Sequence, residues 1–236
     1  MERSHFPIDL ERFERSLFHK KMFKVITGLA GDFSKLSELK LEKICNGRSA
    51  AIMTDGSIVR STTIYQQAPY KWNSSYFPSI DEKFNNAMIE MYTDEYRTMK
   101  YHSDLSLDLV PGSCIGIYSC YPANSIARRI LVVKNKKTGL TSEITLEDKT
   151  MVLFDTYTNL KHLHKITGRG VWLGITFRLS NTYVDKLRLA TNEEKKEFLR
   201  MRRLENQNID FKWDSIDYTL SPSDLLSVQD NHPGLG

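Results

Sequence analysis

The chain has 236 residues, 40% hydrophobic and 26% charged, which excludes an intrinsically disordered or fibrous protein and is enough to bury a core without cross-links. Three cysteines exclude a disulfide framework and favour a reducing compartment, while a net charge of +4 permits a nucleic-acid partner without indicating one. The start has no apolar signal region, and no segment approaches the ~18 apolar residues of a membrane span. We therefore expect a cytoplasmic or nuclear protein that is not secreted.

Residues 1–49 are predicted to form a helical segment that packs on the outside of a sheet. Apolar residues recur between charged ones, as at Leu10, Phe13, Phe33 and Leu36, which is typical of short amphipathic helices.

Residues 50–80 are predicted to form a hairpin and a lid over the core, because they are rich in β-branched residues around a turn at Asp55-Gly56. A helix is predicted next, through Phe84, Met88 and Ile89.

Short strands alternate with turns from Tyr92 to about Leu179. The clearest strands are IGIYSCY, RRILVVKN, SEITL, MVLFDT and VWLGITFRLS. Strands of this length and spacing predict a sandwich or jelly-roll within residues 50–180. In residues 181–236, TNEEKKEFLRMRRLENQ predicts a capped, highly charged helix followed by a tail.

A metal site is predicted around the H-x-D sequence of His102 and Asp104. In an extended segment these side chains point the same way, so an imidazole and a carboxylate converge. A second imidazole from a distant strand would complete a facial triad with open positions for a co-substrate and oxygen. His164 is the preferred third ligand, and His162 is the alternative because it shares the same strand face. The H-x-D sequence also occurs often by chance, and the alternative interpretation is a surface histidine close to an aspartate in a turn.

The segment VWLGITFRL alternates strictly, with apolar residues at every odd position, which predicts a strand with one face in a core. Arg178 and Thr176 then lie on the other face. A buried arginine needs an anion, and a dicarboxylate co-substrate would provide one by bidentate pairing. The alternative is a salt bridge at a sheet edge.

These segments together resemble the AlkB-like Fe(II)/2-oxoglutarate-dependent dioxygenases. FNNAMIEMYTDEYRTMKYHSD resembles the family's helix, loop and H-x-D, and LVPGSCIGIYS and RRILVVKN resemble its next two strands. MVLFDTYTNLKHLHKI resembles the segment with the distal histidine, GITFR the N-L-T-F-R ending, and VRSTTIYQQAP the nucleotide-recognition lid. The resemblance covers roughly residues 50 to 180, and it rests on the order and spacing of the motifs.

The resemblance implies an α+β fold, a double-stranded β-helix (jelly-roll) with N-terminal helices packed on one sheet and the charged C-terminal helix. It implies that His102, Asp104 and His164 bind Fe(II). It also implies that Tyr92 hydrogen-bonds 2-oxoglutarate, that Arg178 pairs with one of its carboxylates, and that Thr176 belongs to the same pocket.

Three positions depart from the family pattern. Glu90 replaces an asparagine that contacts the co-substrate, Trp172 replaces a second arginine, and Gly174 replaces the asparagine of N-L-T-F-R. These changes remove donors from the expected pocket, and Arg169 is a candidate substitute.

The expected activity is oxidative demethylation or hydroxylation of modified nucleic-acid bases. Arg60, Tyr65 and Trp72 combine charge and aromatic faces in the lid, and such residues hold unpaired bases by stacking. Ordinary packing of a lid explains them equally well. Two alternatives stay open: hydroxylation of a protein or small molecule, and a degenerate jelly-roll that binds a partner without turnover.

Overall fold

Two β-sheets form the framework of the computed structural model, which describes residues 22–54, 70–71, 83–97, 99–181 and 188–220. The larger sheet has the strand order β1 (Lys24–Ile26), β9 (Thr150–Asp155), β6 (Cys114–Cys120), β11 (Trp172–Arg178), β5 (Asn86–Tyr92), β3 (Arg48–Thr54) and β2 (Glu42–Cys45), with β4 (Tyr70–Lys71) beside β3. The smaller sheet has the order β10 (His162–Thr167), β7 (Arg129–Asn135) and β8 (Thr141–Leu146).

Three helices and a short ribbon complete the described chain. The helices are α1 (Phe33–Ser37), α2 (Thr156–Lys161) and α3 (Asn192–Gln207), and the ribbon pairs β12 (Arg188–Leu189) with β13 (Tyr218–Thr219). No helix among the described residues has the length and apolar character required to cross a bilayer.

The chain passes repeatedly between the two sheets. After β5 it crosses to the smaller sheet, where His102 bridges to His164 on the free side of β10. It returns for β6, crosses for β7 and β8, returns for β9, crosses for β10 and returns for β11. This alternation of antiparallel strands is a double-stranded β-helix, which confirms the predicted α+β jelly-roll.

The apolar core between the sheets explains why they pack face to face. Side chains from both sheets form one buried cluster that includes Ile115, Ile117, Leu131, Val133, Val152, Phe154, Ile166 and Trp172. Each such side chain contributes roughly 1.5–3 kcal/mol when fully buried. The odd positions of β11 face the opposite way, where Leu173, Ile175 and Phe177 pack in a second cluster with Leu36 of α1. Strand β11 is therefore buried on both faces.

The helix predicted through Phe84, Met88 and Ile89 is wrong. Residues 86–92 form strand β5, which lies between β3 and β11 in full antiparallel register with both. The apolar residues of NAMIEMY are spaced closely enough to mimic a helical stripe, but they are apolar because both faces of the strand are covered, one by the layer that includes Leu36 and the other by the smaller sheet. Pairing on two sides overrides the local spacing.

The N-terminal segment contains less helix than predicted in the part that the structure describes. Strands β1 and β2 add to opposite edges of the larger sheet, and α1 is a five-residue helix with Asp32 as N-cap. Leu10 and Phe13 lie outside the described residues.

The charged C-terminal helix is confirmed as α3. It begins with a reciprocal capping box between Thr191 and Glu194, in which each side chain accepts from the other's backbone N–H.

Candidate metal centre

His102 and His164 belong to neighbouring extended segments, and their backbones hydrogen-bond to each other in both directions. His102 N donates to His164 O over 3.0 Å, and His164 N donates to His102 O over 2.7 Å. This antiparallel pair directs both imidazoles to the same side, with ring centroids 4.7 Å apart. A contact 62 positions apart in sequence thus brings two candidate ligands together.

Asp104 completes the group, because both imidazoles face the same carboxylate oxygen. Asp104 Oδ1 lies 3.4 Å from His164 Nε2 and 3.9 Å from His102 Nε2. The candidate ligand atoms all lie within 4.8 Å of one another. Adjacent ligands on an ion with bonds of about 2.1 Å lie about 3 Å apart, so only a small contraction is needed. His102 has the room for it, since 33% of its side chain is exposed.

The protonation states suit a metal. His102 Nδ1 lies 3.0 Å from the Lys100 carbonyl, which can only accept, so Nδ1 carries the proton and Nε2 keeps its lone pair for an ion. Desolvation and, second, the neighbouring His164 lower the pKa of His102 to about 3, so its imidazole is neutral at physiological pH.

Asp104 is ionised for a different reason. Burial by itself would raise its pKa, but the charge of Arg178 and the interaction with His164 outweigh burial and hold the pKa of Asp104 well below its usual range. Arg178 Nη2 lies 2.7 Å from Asp104 Oδ2, which leaves Oδ1 for an ion.

The backbone of Asp104 is held by Asn159, a residue that sequence reasoning missed. Asn159 lies in α2, directly before β10, and is 2% exposed. Its Oδ1 accepts from Asp104 N and its Nδ2 donates to Asp104 O, both over 2.8 Å. The helix that precedes the second histidine strand therefore also positions the carboxylate ligand.

Helix α3 holds the same segment from the outside. Asn206 Oδ1 accepts from Ser103 N over 3.0 Å, and Arg202 Nη2 donates to Ser103 O over 2.8 Å. Glu205, which is fully buried, accepts from both the backbone N and the hydroxyl of Ser106. Sequence analysis predicted the helix without any role in the site, because nothing local links it to residues 103–106.

His162 has no lone pair to offer an ion. Its Nδ1 hydrogen-bonds to Thr158 O over 2.9 Å, and its Nε2 lies 3.1 Å from Asn135 Nδ2. Because a carbonyl only accepts, Nδ1 carries the proton and Nε2 accepts from the amide. The structure brings His164, and not His162, beside Asp104.

The expected co-substrate residues line the barrel from the metal end to the opposite end. Arg178 lies at the metal end of β11, Thr176 lies two residues further in, and Tyr92 at the far end of β5 pairs with Trp172. All of them are at least 90% buried.

The three departures from the family pattern lie side by side on two paired strands, with Gly174 directly opposite Glu90 and two residues from Trp172. The Trp172 indole lies over Gly174, so that a Cβ at position 174 would collide with the six-membered ring. Glu90 is paired with Arg48, whose Nε lies 2.8 Å from Glu90 Oε1. Arg169 is exposed in its turn and does not lie among these residues.

The candidate substrate residues Arg60, Tyr65 and Trp72 lie outside the described residues. Within them, a basic and aromatic group lies on the outer face of the smaller sheet, opposite the face that carries His102 and His164. Lys165 and Lys134 place their ammonium groups 4.5 and 5.7 Å from the centroid of the Tyr101 ring.

Comparisons with known proteins find similarity to solved structures only. No protein-family model matches the chain, and no curated protein matches it. A solved structure described as "The structure of OsALKBH1" is similar over 56% of this chain and 78% of that chain, with a TM-score of 0.41 and 11% identity. The fold and the His-Asp-His group define a jelly-roll with a candidate mononuclear metal centre of the kind found in Fe(II) oxygenases.

Proposed function

We propose that this protein is an Fe(II)- and 2-oxoglutarate-dependent dioxygenase that demethylates or hydroxylates modified nucleic-acid bases. The observation that carries the proposal is the convergence of two imidazoles and one ionised carboxylate on a single point in a double-stranded β-helix. Two imidazoles and one carboxylate on one face, with the opposite face open, are the ligand set of non-haem Fe(II) oxygenases.

The donor set fits Fe(II) in its surroundings as well as in its ligands. The His102 tautomer is set by Lys100, and one oxygen of Asp104 is occupied by Arg178. These contacts orient the ligands before an ion arrives, as outer hydrogen bonds do in metal sites generally. His102, His164 and Asp104 would hold the iron.

The chain's contribution to the reaction is to orient and to exclude water. When bound, Fe(II) with 2-oxoglutarate and oxygen would supply the oxidising power that inserts one oxygen atom into a C–H bond, with succinate and carbon dioxide as co-products in the dioxygenases that the chain resembles. The buried Asp104 and Arg178 keep water from the inner side of the site, while the partly exposed His102 marks the side that substrate can approach. A hydroxylated N-methyl group would then break down to formaldehyde, which is base repair or demethylation.

Support for a nucleic-acid substrate comes from charge on the sheet that carries the two imidazoles. Lys134 and Lys165 approach the ring of Tyr101, which forms a basic and aromatic surface on the outer face of that sheet, opposite the face of the candidate ligands. Lysines neutralise phosphates and aromatic faces stack on bases. The predicted lid residues Arg60, Tyr65 and Trp72 would supply further charge and aromatic faces.

The test is anaerobic reconstitution with Fe(II) and 2-oxoglutarate, followed by oxygen and methylated oligonucleotides. We expect a visible metal-to-ligand charge-transfer band, then succinate and formaldehyde, all lost in His164→Ala and retained in His162→Ala. Succinate formation that no nucleic acid stimulates would indicate a protein or small-molecule substrate instead.

A second candidate, a degenerate jelly-roll that binds a partner without turnover, is favoured by one observation. Trp172 occupies the position of an expected arginine, and its indole covers Gly174. The absence of any charge-transfer band at saturating Fe(II) and 2-oxoglutarate would support this second candidate over the dioxygenase.

A further inference from the structure

Three buried hydrogen-bond donors have no acceptor at the end of the barrel opposite the metal ligands. They are the Tyr92 hydroxyl, Trp172 Nε1 and Arg129 Nε, on residues that are 0%, 1% and 0% exposed. An unsatisfied buried donor costs roughly 1–3 kcal/mol, and more when it is charged. Three in one place point to an acceptor that the chain itself does not supply.

The three side chains are in contact with one another although they come from different strands. The Arg129 guanidinium carbon lies 5.3 Å from the centroid of the Tyr92 ring. The Tyr92 and Trp172 ring centroids lie 4.8 Å apart. Tyr92 and Trp172 are directly paired across β5 and β11, whereas Arg129 begins β7 in the opposite sheet. The cluster therefore spans the barrel interior.

Arg129 also carries a buried charge without a counter-ion. Its two terminal nitrogens donate to the main-chain carbonyls of Thr93, Tyr96, Gly168 and Gly170. Among the described residues no carboxylate forms an ion pair with it, and the exposed Asp94 acts on it only at longer range, without outweighing the burial that lowers the pKa of Arg129. Buried arginines are normally paired with an anion, since neutral carbonyls do not balance the charge.

The buried Arg178 and the partly exposed Arg48 are each already paired with a carboxylate. Arg178 is paired with Asp104 and Arg48 with Glu90. The charge of Arg48 offsets part of the negative charge of Glu90 at the Tyr92 hydroxyl, and burial followed by the remaining effect of Glu90 raises the pKa of Tyr92. Arg129 is thus the cation of the barrel interior that remains available.

We propose that Arg129, with the Tyr92 hydroxyl and the Trp172 indole N–H, binds the distal carboxylate of the 2-oxo acid co-substrate. This inference rests on the proposed function and names the specificity determinant of the same site. The arginine that the resemblance leads one to expect at position 172 is replaced by one from the opposite sheet. The Trp172 indole N–H then supplies one hydrogen-bond donor at the position where the resemblance leads one to expect an arginine. Arg169, which is exposed, does not contribute to binding.

The experiment compares two five-carbon acids that present the same 2-oxo acid chelate to the metal. 2-Oxoglutarate has a second carboxylate and 2-oxopentanoate has a methyl group in its place. Binding of each to the Fe(II)-loaded protein is measured anaerobically by calorimetry, without turnover. We expect wild type to prefer 2-oxoglutarate by about 100-fold, as befits several hydrogen bonds to a charged group.

Variants assign that preference to individual donors. Arg129→Met should reduce it to about threefold or less and leave 2-oxopentanoate binding unchanged. Tyr92→Phe should weaken 2-oxoglutarate binding about tenfold and leave 2-oxopentanoate binding unchanged, because it removes one donor to the distal carboxylate alone. Arg128→Met is the matched control, since Arg128 points outward and pairs with Glu147. If Arg129→Met does not fold, the same comparison of the two acids is made with Tyr92→Phe and Trp172→Phe, and each should show a smaller preference for 2-oxoglutarate than wild type.

Two results would overturn the inference, and they differ from each other. Equal affinity of wild type for the two acids, or an undiminished preference in Arg129→Met or Tyr92→Phe, would reject the anchor and leave the dioxygenase proposal standing. Failure of both acids to bind the Fe(II)-loaded wild type would reject the proposed function and the anchor with it.

Discussion

Arg178 donates a 2.7 Å hydrogen bond to Asp104, and the two side chains, 74 positions apart, are only 6% and 8% exposed. The other oxygen of Asp104 faces both imidazoles. One carboxylate thus joins the last strand of the barrel to the metal ligands. An ion at the site and the guanidinium would share the same negative charge.

Arg178→Met should destabilise the metal-free protein by roughly 3–5 kcal/mol, because it leaves a buried carboxylate unpaired. A divalent ion would restore part of that loss by taking over the charge. The rise in Tm on adding Fe(II) or Co(II) should therefore be larger in Arg178→Met than in wild type. Arg200→Met, which breaks an exposed ion pair on α3, is the control. Equal metal-induced shifts in the two proteins would contradict this account of Asp104.

The two candidate histidines on β10 should behave differently on substitution. His164→Ala removes an imidazole whose Nε2 faces Asp104, and we expect it to abolish stoichiometric binding of Co(II). His162→Ala removes a ring whose nitrogens are both hydrogen-bonded, so it should lower stability and preserve binding. Metal titration followed by absorption distinguishes them, and loss of binding in His162→Ala at a temperature where it is folded would argue against the assignment.

Glu205 should act on the metal site from the C-terminal helix. Glu205→Gln weakens the bonds to the backbone and hydroxyl of Ser106, so the segment that carries Asp104 is held less firmly. Supporting residues of this kind change metal affinity by about 10–100-fold, and we expect the lower end of that range. Glu197→Gln, at an exposed ion pair on the same helix, should leave the affinity unchanged. Unaltered Co(II) affinity in folded Glu205→Gln would show that α3 is not coupled to the site.

Gly174 and Trp172 should be energetically coupled. Gly174→Ala places a Cβ against the Trp172 indole, and overpacking of this kind costs about 1–3 kcal/mol. In a Trp172→Phe background the smaller ring leaves space, so the same substitution should cost less. Chemical denaturation of the four proteins of the cycle measures the coupling. Strict additivity would mean that the indole does not occupy the space above residue 174.

Lys136 gives a pH dependence whose sign follows from linkage. Burial, opposed by the charge of Glu205, lowers its pKa from 10.5 to about 8. Between these values the unfolded chain binds more protons than the folded one, so this group makes stability rise with pH. The stability of wild type relative to Lys136→Met should therefore increase between about pH 8 and pH 10.5. Lys137→Met, at an exposed neighbour, should show no such change, and a falling difference for Lys136 would reverse the assignment.

The sequence predicted the strands whose alternation or β-branched residues mark them as strands, and failed at β5, whose apolar spacing resembles that of a helix. IGIYSCY, RRILVVKN, MVLFDT and VWLGITFRLS correspond to β6, β7, β9 and β11. NAMIEMY was predicted as a helix because burial on both sides of β5 removes the alternation that marks a strand with one exposed face. The partners that decide its structure, β3 and β11, are remote in sequence.

The spacing of the residues in the sequence identified the candidate ligands, but it did not predict the side chains that surround them. A two-residue interval makes His102 and Asp104 point the same way in any extended segment. The roles of Asn159, Arg202, Glu205 and Asn206 depend on contacts across 55 to 103 positions, for which the sequence holds no local signal. The same applies to Arg129, an ordinary first residue of a strand until its burial beside Tyr92 is known.

By itself, the sequence determined where strands and the capped helix form, and which side chains share a face, because these follow from the period of the backbone and from local hydrogen bonds. Only the tertiary structure decided that His164 rather than His162 meets Asp104, that Arg178 neutralises this aspartate, and that Arg129 lies buried without a counter-ion. The physical reason is that a local pattern sets the direction of a side chain, whereas the register between distant strands sets what it meets there.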